Sequence, residues 1–173
     1  MDTAFQFLVQ KNSSREMQEI LSDKNQFLIY RKIWIALAEA QKELGLKVTE
    51  EQIQDMKDHF SEIDMKLVYE LEKKYSYITP AVIEQFGMVA QKAKPIIHLG
   101  ATTNDLWDNT NIIFMKEAAN LVLSKMYVSA RSLRDFVLKY KDMPIQGYTR
   151  LQAAQPVTVG KRAAVWLQDL MFD

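Results

Sequence analysis

Cysteine is absent from this sequence, which excludes a disulfide framework and any thiolate metal site. Histidine is scarce: His59 and His98 are the two present, too few and too far apart to suggest a paired-imidazole centre, so no metal is expected. Glycine and proline are few, five and four in 173 residues. So few breakers leave long stretches free to form helix, and the fold class expected is all-α. No apolar run approaches the ~20 residues that a membrane span needs. The N-terminus has no basic stretch followed by an apolar core, so no signal peptide is expected, and a cytoplasmic location is the default. Charge of either sign is not in excess, with 22 basic and 22 acidic side chains. A neutral chain attracts neither nucleic acid nor a membrane surface at long range, so neither is expected as a partner.

What is present is a composition able to bury a core, 48% hydrophobic and 25% charged. The stretch from Pro95 to Tyr140 organises it. A short apolar run enters a Gly-Ala-Thr-Thr turn, and the turn opens into a helical pattern of about 35 residues, roughly 50 Å long. Such a helix is too long for the interior of a compact globule of this size. It suits an extended bundle shared between subunits, and so a homo-oligomer. Met115, Ala118, Ala119, Val122, Met126, Ala130, Leu133, Phe136 and Tyr140 form one stripe. Ile112, Ile113, Leu121, Leu123 and Val128 lie off it, so neighbours are expected on more than one side.

Upstream, residues 1–13 carry little pattern. Ser13 or Ser14 caps a short helix through about Leu21. Asp23 is expected to cap a helix from Lys24 to Leu44, with Phe27, Tyr30, Trp34, Leu37, Ala38, Gln41 and Leu44 on its apolar face. Gly45 stands where a left-handed stop is wanted. Thr49-Glu50-Glu51-Gln52 is a capping box for a helix to about Phe60, with Ile53 and Met56 inward. A further helix spans about Asp64 to Lys74. Thr79-Pro80 reads as an N-cap followed by proline at the first helical position. After Pro144 and Gly147 mark a loop, a last helix starts near Pro156 or Thr158. Its final residues, Leu170, Met171 and Phe172, are apolar and uncapped, so the chain is expected to be a fragment or a truncated relative. The boundary expected lies near Asn104: an N-terminal helical domain, 1–103, then the start of a bundle, 104–173.

Chemistry is expected in two loops. Thr102 and Thr103 follow a glycine and open a helix, where hydroxyls and free N–H groups can hold a carboxylate or phosphate, or act simply as caps. Thr149, Arg150 and Gln152 lie in a second polar loop, where an arginine can grip a carboxylate with two bonds. His98 reads as a hydrogen-bonded structural histidine, and His59, in Lys57-Asp58-His59, as a solvated one.

Three segments resemble the adenylosuccinate lyase family of the fumarase/aspartase superfamily. IIHLGATTNDLWDNTN resembles that family's IIHLGATS, four residues, then DNTD. GYTRLQAAQPVTVGKRAAVWLQDL resembles GFTHxQPAQPTTVGKRxxLWLQDL. WIALAEAQKELGLKVTEEQIQDMK is similar to its first helix pair. The resemblance runs from Ser14 to Asp173. It implies an α-helical homotetramer with a central bundle built from all subunits and active sites shared between them. It implies elimination of fumarate from adenylosuccinate or succinyl-carboxamide ribotide, in purine nucleotide biosynthesis, with no cofactor. It places carboxylate-binding hydroxyls at Thr102 and Thr103, and substrate contacts at Thr149 and Gln152.

Other family positions are substituted. The general acid of the family is the histidine of its Thr-His pair; here the pair is Thr149-Arg150. A guanidinium stays protonated and cannot cycle a proton near neutral pH. The family's Arg-His-Asp falls on Ser76-Tyr77-Ile78, so Tyr77 replaces the second histidine and Ser76 a substrate-binding arginine. A phenol with a pKa near ~10 is a weaker acid. The family's nucleotide-holding Arg-Tyr falls on Lys11-Asn12. The mobile serine loop that supplies the family's base lies outside these residues. Framework positions are kept while proton-transfer positions are replaced, so this chain alone is expected to be inactive. Two other outcomes stay open: an inactive paralogue that serves as an oligomerisation or scaffold module, and a superfamily lyase for a different succinyl or amino-acid substrate.

Overall fold

The computed structural model of this chain describes residues 4–173. The chain divides into two compact units, Met1–Glu117 and Ala118–Asp173. The first holds a run of helices: α1 (Ala4–Asn12), α2 (Arg15–Ile20), α3 (Asp23–Glu43), α4 (Glu50–Asp58), α5 (Met65–Tyr75) and α6 (Ile78–Val89). Helix α7 (Thr103–Lys139) begins in it and continues into the second unit.

Helix starts follow capping chemistry. Ser14, Ser22, Thr49 and Asp64 each accept a backbone N–H from three residues on, which satisfies a donor that has no partner inside the helix. The capping box at Thr49 is complete, with Gln52 reaching back to the Thr49 N–H. Gly45 takes φ +82 beyond the end of α3, the left-handed stop that its position suggests. Three expectations are corrected. The cap of α3 is Ser22, with Asp23 as its first helical residue. The cap of α6 is Tyr77, which makes no side-chain bond, and Thr79 and Pro80 lie inside the first turn. Residues 4–12, read as patternless, form α1.

Phe27, Tyr30 and Trp34 run along one face of α3 and meet Phe86 of α6, with the Trp34 and Phe86 rings stacked at 6.1 Å. Each large buried side chain contributes about 2–3 kcal/mol of apolar burial. Leu44, expected on this face, is instead 80% exposed, because α3 ends at Glu43. Arg31 was not expected inside, yet it is fully buried. Its guanidinium donates to the carbonyls of His59, Phe60 and Glu62 and to Gln85 Oε1, and lies 4.1 Å from the Phe86 ring centre. Five N–H donors in a planar fork suit that task, whereas an ammonium would not span it. Burial lowers its pKa to about 10, with Glu62 opposing. His59, read as solvated, is half-buried: it ends α4, its Nδ1 lies 2.9 Å from the Asp55 carbonyl, and its own carbonyl accepts from Arg31.

Between α6 and α7 the chain runs through consecutive turns that α3 and α4 hold in place. Asp55 Oδ2 accepts the N–H groups of Lys92 (2.8 Å) and Ala93 (3.2 Å). Gln52 donates to the Lys92 carbonyl, Gln41 to that of Leu99 and the Trp34 indole to His98.

In the second unit, α7 is followed by four two-residue strands, β1 (Pro144–Ile145), β2 (Tyr148–Thr149), β3 (Gln152–Ala153) and β4 (Val157–Thr158), then α8 (Val159–Phe172). β1 pairs antiparallel with β4, Pro144 opposite Thr158, and β2 with β3, Thr149 opposite Gln152. The sequence reads this region as loop, because two-residue strands have no periodicity to display. Gly160 is fixed by packing: a Cβ there would stand 2.6 Å from the Lys141 Cα and the Val137 carbonyl oxygen. Among the described residues of α7 and α8, the buried ones are Leu106, Thr110, Gly160 and Ala163. Met115, Tyr127, Trp166 and Phe172 are each more than 60% exposed. These faces are apolar in sequence and uncovered in the single chain, as a bundle component requires. No helix of the described residues is long and apolar enough to cross a membrane.

Candidate functional site

One group of candidate residues lies on the turn before α7. Gly100 takes φ +74 and His98 φ +66, so the chain reverses sharply before Thr102. Thr102 is exposed and Thr103 half-buried as the first residue of α7. The Thr102 N–H donates to Asp105 Oδ2 at 2.7 Å. That is the return half of a capping box, and its Thr-x-x-Asp spacing is legible in sequence. It has a chemical consequence. Asp105 sets a negative charge on the positive end of the helix, which stabilises the helix but opposes an incoming carboxylate. The hydroxyls of Thr102 and Thr103 remain as the groups that can meet a ligand.

His98 is tied into the core. Its Nδ1 accepts from the Trp34 indole N–H at 3.0 Å, and the two rings meet edge to face. Burial lowers its pKa below the ordinary imidazole value, and Asp105 pulls the other way. This pair joins residues 64 apart in the chain, and nothing local in the sequence announces it.

Ser76 and Tyr77 form the short link between α5 and α6. Ser76 ends α5 in the left-handed region, φ +53, and Tyr77 turns back to extended backbone. Both are exposed. The Tyr77 phenol acts electrostatically on buried Tyr30, whose pKa is raised to about 12 chiefly by burial, with Gln26 bonding the phenol oxygen in opposition. Beside the link, Tyr75 donates to Glu84, and Lys74 donates to the Tyr75 oxygen. Lys11 and Asn12 close α1 and are exposed, with the Lys11 ammonium 5.8 Å from the Phe7 ring centre.

A separate group of candidate residues lies in the Ala118–Asp173 unit. Thr149 and Gln152 face each other at the end of the β2–β3 hairpin, and Arg150 and Leu151 are the two residues of its turn. Both turn residues have positive φ, 47 and 64. This is the type I′ arrangement, which favours Asn-Gly; a non-glycine residue there carries local strain. Strain of this kind concentrates at functional turns. Thr149, Arg150 and Gln152 are all exposed, and Leu151 is fully so. Behind the turn, Gln146 donates to the carbonyls of Gly147 and Ala154, and the Ala154 N–H donates to Gly147. Within each unit, then, the expected residues fall in adjacent pairs on turns: Ser76 with Tyr77, Thr102 with Thr103, Thr149 with Arg150. Arg150 offers a forked donor set, and Tyr77 a hydroxyl that can donate or accept.

A family model described as lyase matches residues 3–173. The chain is 37% identical over 166 residues to adenylosuccinate lyase of Schistosoma mansoni, covering 96% of this chain and 35% of that one. It is 37% identical over 169 residues to adenylosuccinate lyase of Saccharomyces cerevisiae, with the same coverage of both. It thus spans about a third of the length of these curated relatives. Its fold matches the crystal structure of a fumarate lyase from Mesorhizobium sp. BNC1 with a TM-score of 0.79 and 27% identity, over 89% of this chain and 37% of that one. With the helical architecture, the paired turn residues and a family match over almost its full length, the chain belongs to the lyase family of fumarase/aspartase type.

Proposed function

We propose that the chain is an adenylosuccinate lyase-like protein whose 173 residues carry no elimination activity on their own. The observation that supports this is Arg150. It stands on the strained turn at the position that, by resemblance, belongs to the general acid, and a guanidinium does not release its proton near neutral pH. Tyr77 stands in the same way for the second histidine, and an exposed phenol is a poor proton donor at pH 7. Thr102, Thr103, Thr149 and Gln152 keep hydroxyl and amide groups suited to a succinyl carboxylate. Ser76 replaces a substrate-binding arginine, and Lys11 and Asn12 the pair that holds the nucleotide. The reading includes a bundle that starts near Asn104, a cytoplasmic homo-oligomer, purine nucleotide biosynthesis as setting and no cofactor.

The test is a fumarate-release assay of the purified chain with adenylosuccinate and with succinyl-carboxamide ribotide. No release above the uncatalysed rate is expected; fumarate and AMP formed in proportion to protein would overturn the proposal. A second reading, a scaffold that pairs with itself or with an active lyase subunit, is favoured by the exposed apolar side chains of α7 and α8. Native mass spectrometry at micromolar concentration is expected to give oligomers, and a stable monomer would count against it.

A further inference from the structure

We infer that Trp34 fixes His98 as a single neutral tautomer, protonated at Nε2, and thereby removes it from acid–base chemistry while keeping it as a hydrogen-bond donor. An indole N–H can donate and cannot accept. With Trp34 Nε1 3.0 Å from His98 Nδ1, the lone pair of the imidazole must lie on Nδ1, and the ring proton must lie on Nε2. Trp34 cannot turn away to release it. Its side chain is 1% exposed, stacked on Phe86 at 6.1 Å and packed on Tyr30. The imidazole meets the indole edge to face, with ring centres 5.9 Å apart and planes at 83°. The left-handed backbone at His98, φ +66, is held in the same place by the neighbouring bond from Gln41 to the Leu99 carbonyl.

The chemical outcome is specific. A histidine acts as a general base through its lone pair, and here that lone pair is occupied by a donor buried in the core. It acts as a general acid in its doubly protonated form, and a proton on Nδ1 would face the indole N–H head on. Both roles are closed. Nε2–H has no protein acceptor among the described residues and stays available to an acceptor oxygen. Of the charged groups, Asp105 of α7 acts on the ring, while α3 presents the neutral Trp34. The inference rests on the lyase reading for what the donor serves; the tautomer itself does not. It also means that His98 does not take over from the histidines replaced by Tyr77 and Arg150.

The test is long-range ¹H–¹⁵N correlation of the two histidine rings in the uniformly labelled 173-residue chain above pH 7. His98 is expected to show a protonated Nε2 and a bare Nδ1, with at least about a tenfold preference over the other tautomer. Trp34→Phe keeps the packing shape but removes the donor, and both tautomers should then appear. Should that variant not fold, the indole resonances serve instead. His98→Asn supplies an acceptor at the place of Nδ1 and should keep the Trp34 indole N–H slow to exchange, whereas His98→Leu should lose that protection. A wild-type ring protonated on Nδ1, a near-equal tautomer mixture, or an indole N–H unchanged in His98→Leu would each overturn the inference. None of these readouts involves ligand or turnover, so loss of the lyase reading leaves the result interpretable.

Discussion

Replacing Gly160 by alanine is expected to destabilise the corner between α7 and α8 by about 2 kcal/mol. The added Cβ would stand 2.6 Å from the Lys141 Cα and the Val137 carbonyl oxygen and 2.7 Å from the Lys141 nitrogen. These are backbone atoms, so no side-chain rotation relieves the clash. Overpacking of this kind costs ~1–3 kcal/mol. If α8 moves instead, it stretches the bonds from Gly160 N–H to Tyr140 (2.8 Å) and from Val159 N–H to Met143 (2.9 Å). Each of those contributes about 1 kcal/mol. Alanine's better helix propensity returns at most ~1 kcal/mol. Gly45 is the control, because its constraint is different: nothing lies within 4 Å of a Cβ there, but φ is +82. At Gly45, asparagine should be tolerated better than alanine, because it accepts the left-handed region. At Gly160, asparagine should be no better than alanine, because it is larger. Urea unfolding followed by circular dichroism, with Trp166 of α8 as a local fluorescent reporter, compares the four variants. A Gly160→Ala midpoint equal to wild type, or the same residue ranking at both positions, would refute this account of the corner.

Other perturbations follow from the same structure. Arg31→Lys replaces a fork by a single ammonium and leaves buried carbonyls without donors, so a loss of about 2–4 kcal/mol is expected in denaturant titration. Replacing Arg150-Leu151 by Asn-Gly should stabilise the hairpin by roughly 1 kcal/mol, read as slower amide exchange at Ala154, while removing the cation. His98 has a folded pKa below its unfolded value, so the unfolded chain binds more protons between the two. Its contribution to stability is therefore full above about pH 6.5 and falls as pH drops through the folded value. His98→Asn should flatten that part of the stability–pH curve.

The fold was legible where one residue decides a local geometry. Thr49 and Gly45 start and end helices through their own side chain or backbone where the sequence puts them, and Ser14 is the one of the Ser13–Ser14 pair that caps. Legibility failed where distant residues decide. Arg31 looks like a surface residue of α3 until the carbonyls that follow α4 arrive to meet it. Thr79 looks like a cap, but its hydroxyl is buried and Tyr77 begins the helix without a side-chain bond. The site divides in the same way. Thr102 and Thr103 before α7, and Thr149 and Arg150 in a polar turn, could be picked out from neighbours in sequence. The Trp34–His98 bond and the strained hairpin backbone could not, since one spans 64 residues and the other is set by a two-residue ladder.

The segment between α6 and α7 has a consequence for the order of folding. Its backbone is held by side chains of two other helices: Trp34 and Gln41 from α3, Gln52 and Asp55 from α4. Those donors and acceptors do not converge until α3 and α4 have docked. The segment is therefore expected to gain its shape late in folding, with few of its native bonds formed in the transition state. Weakening any one of them should leave the refolding rate almost unchanged and speed unfolding. The same dependence makes the approach to α7 a kinetic lock: once closed, it is among the contacts that decide how long the native chain survives before it opens.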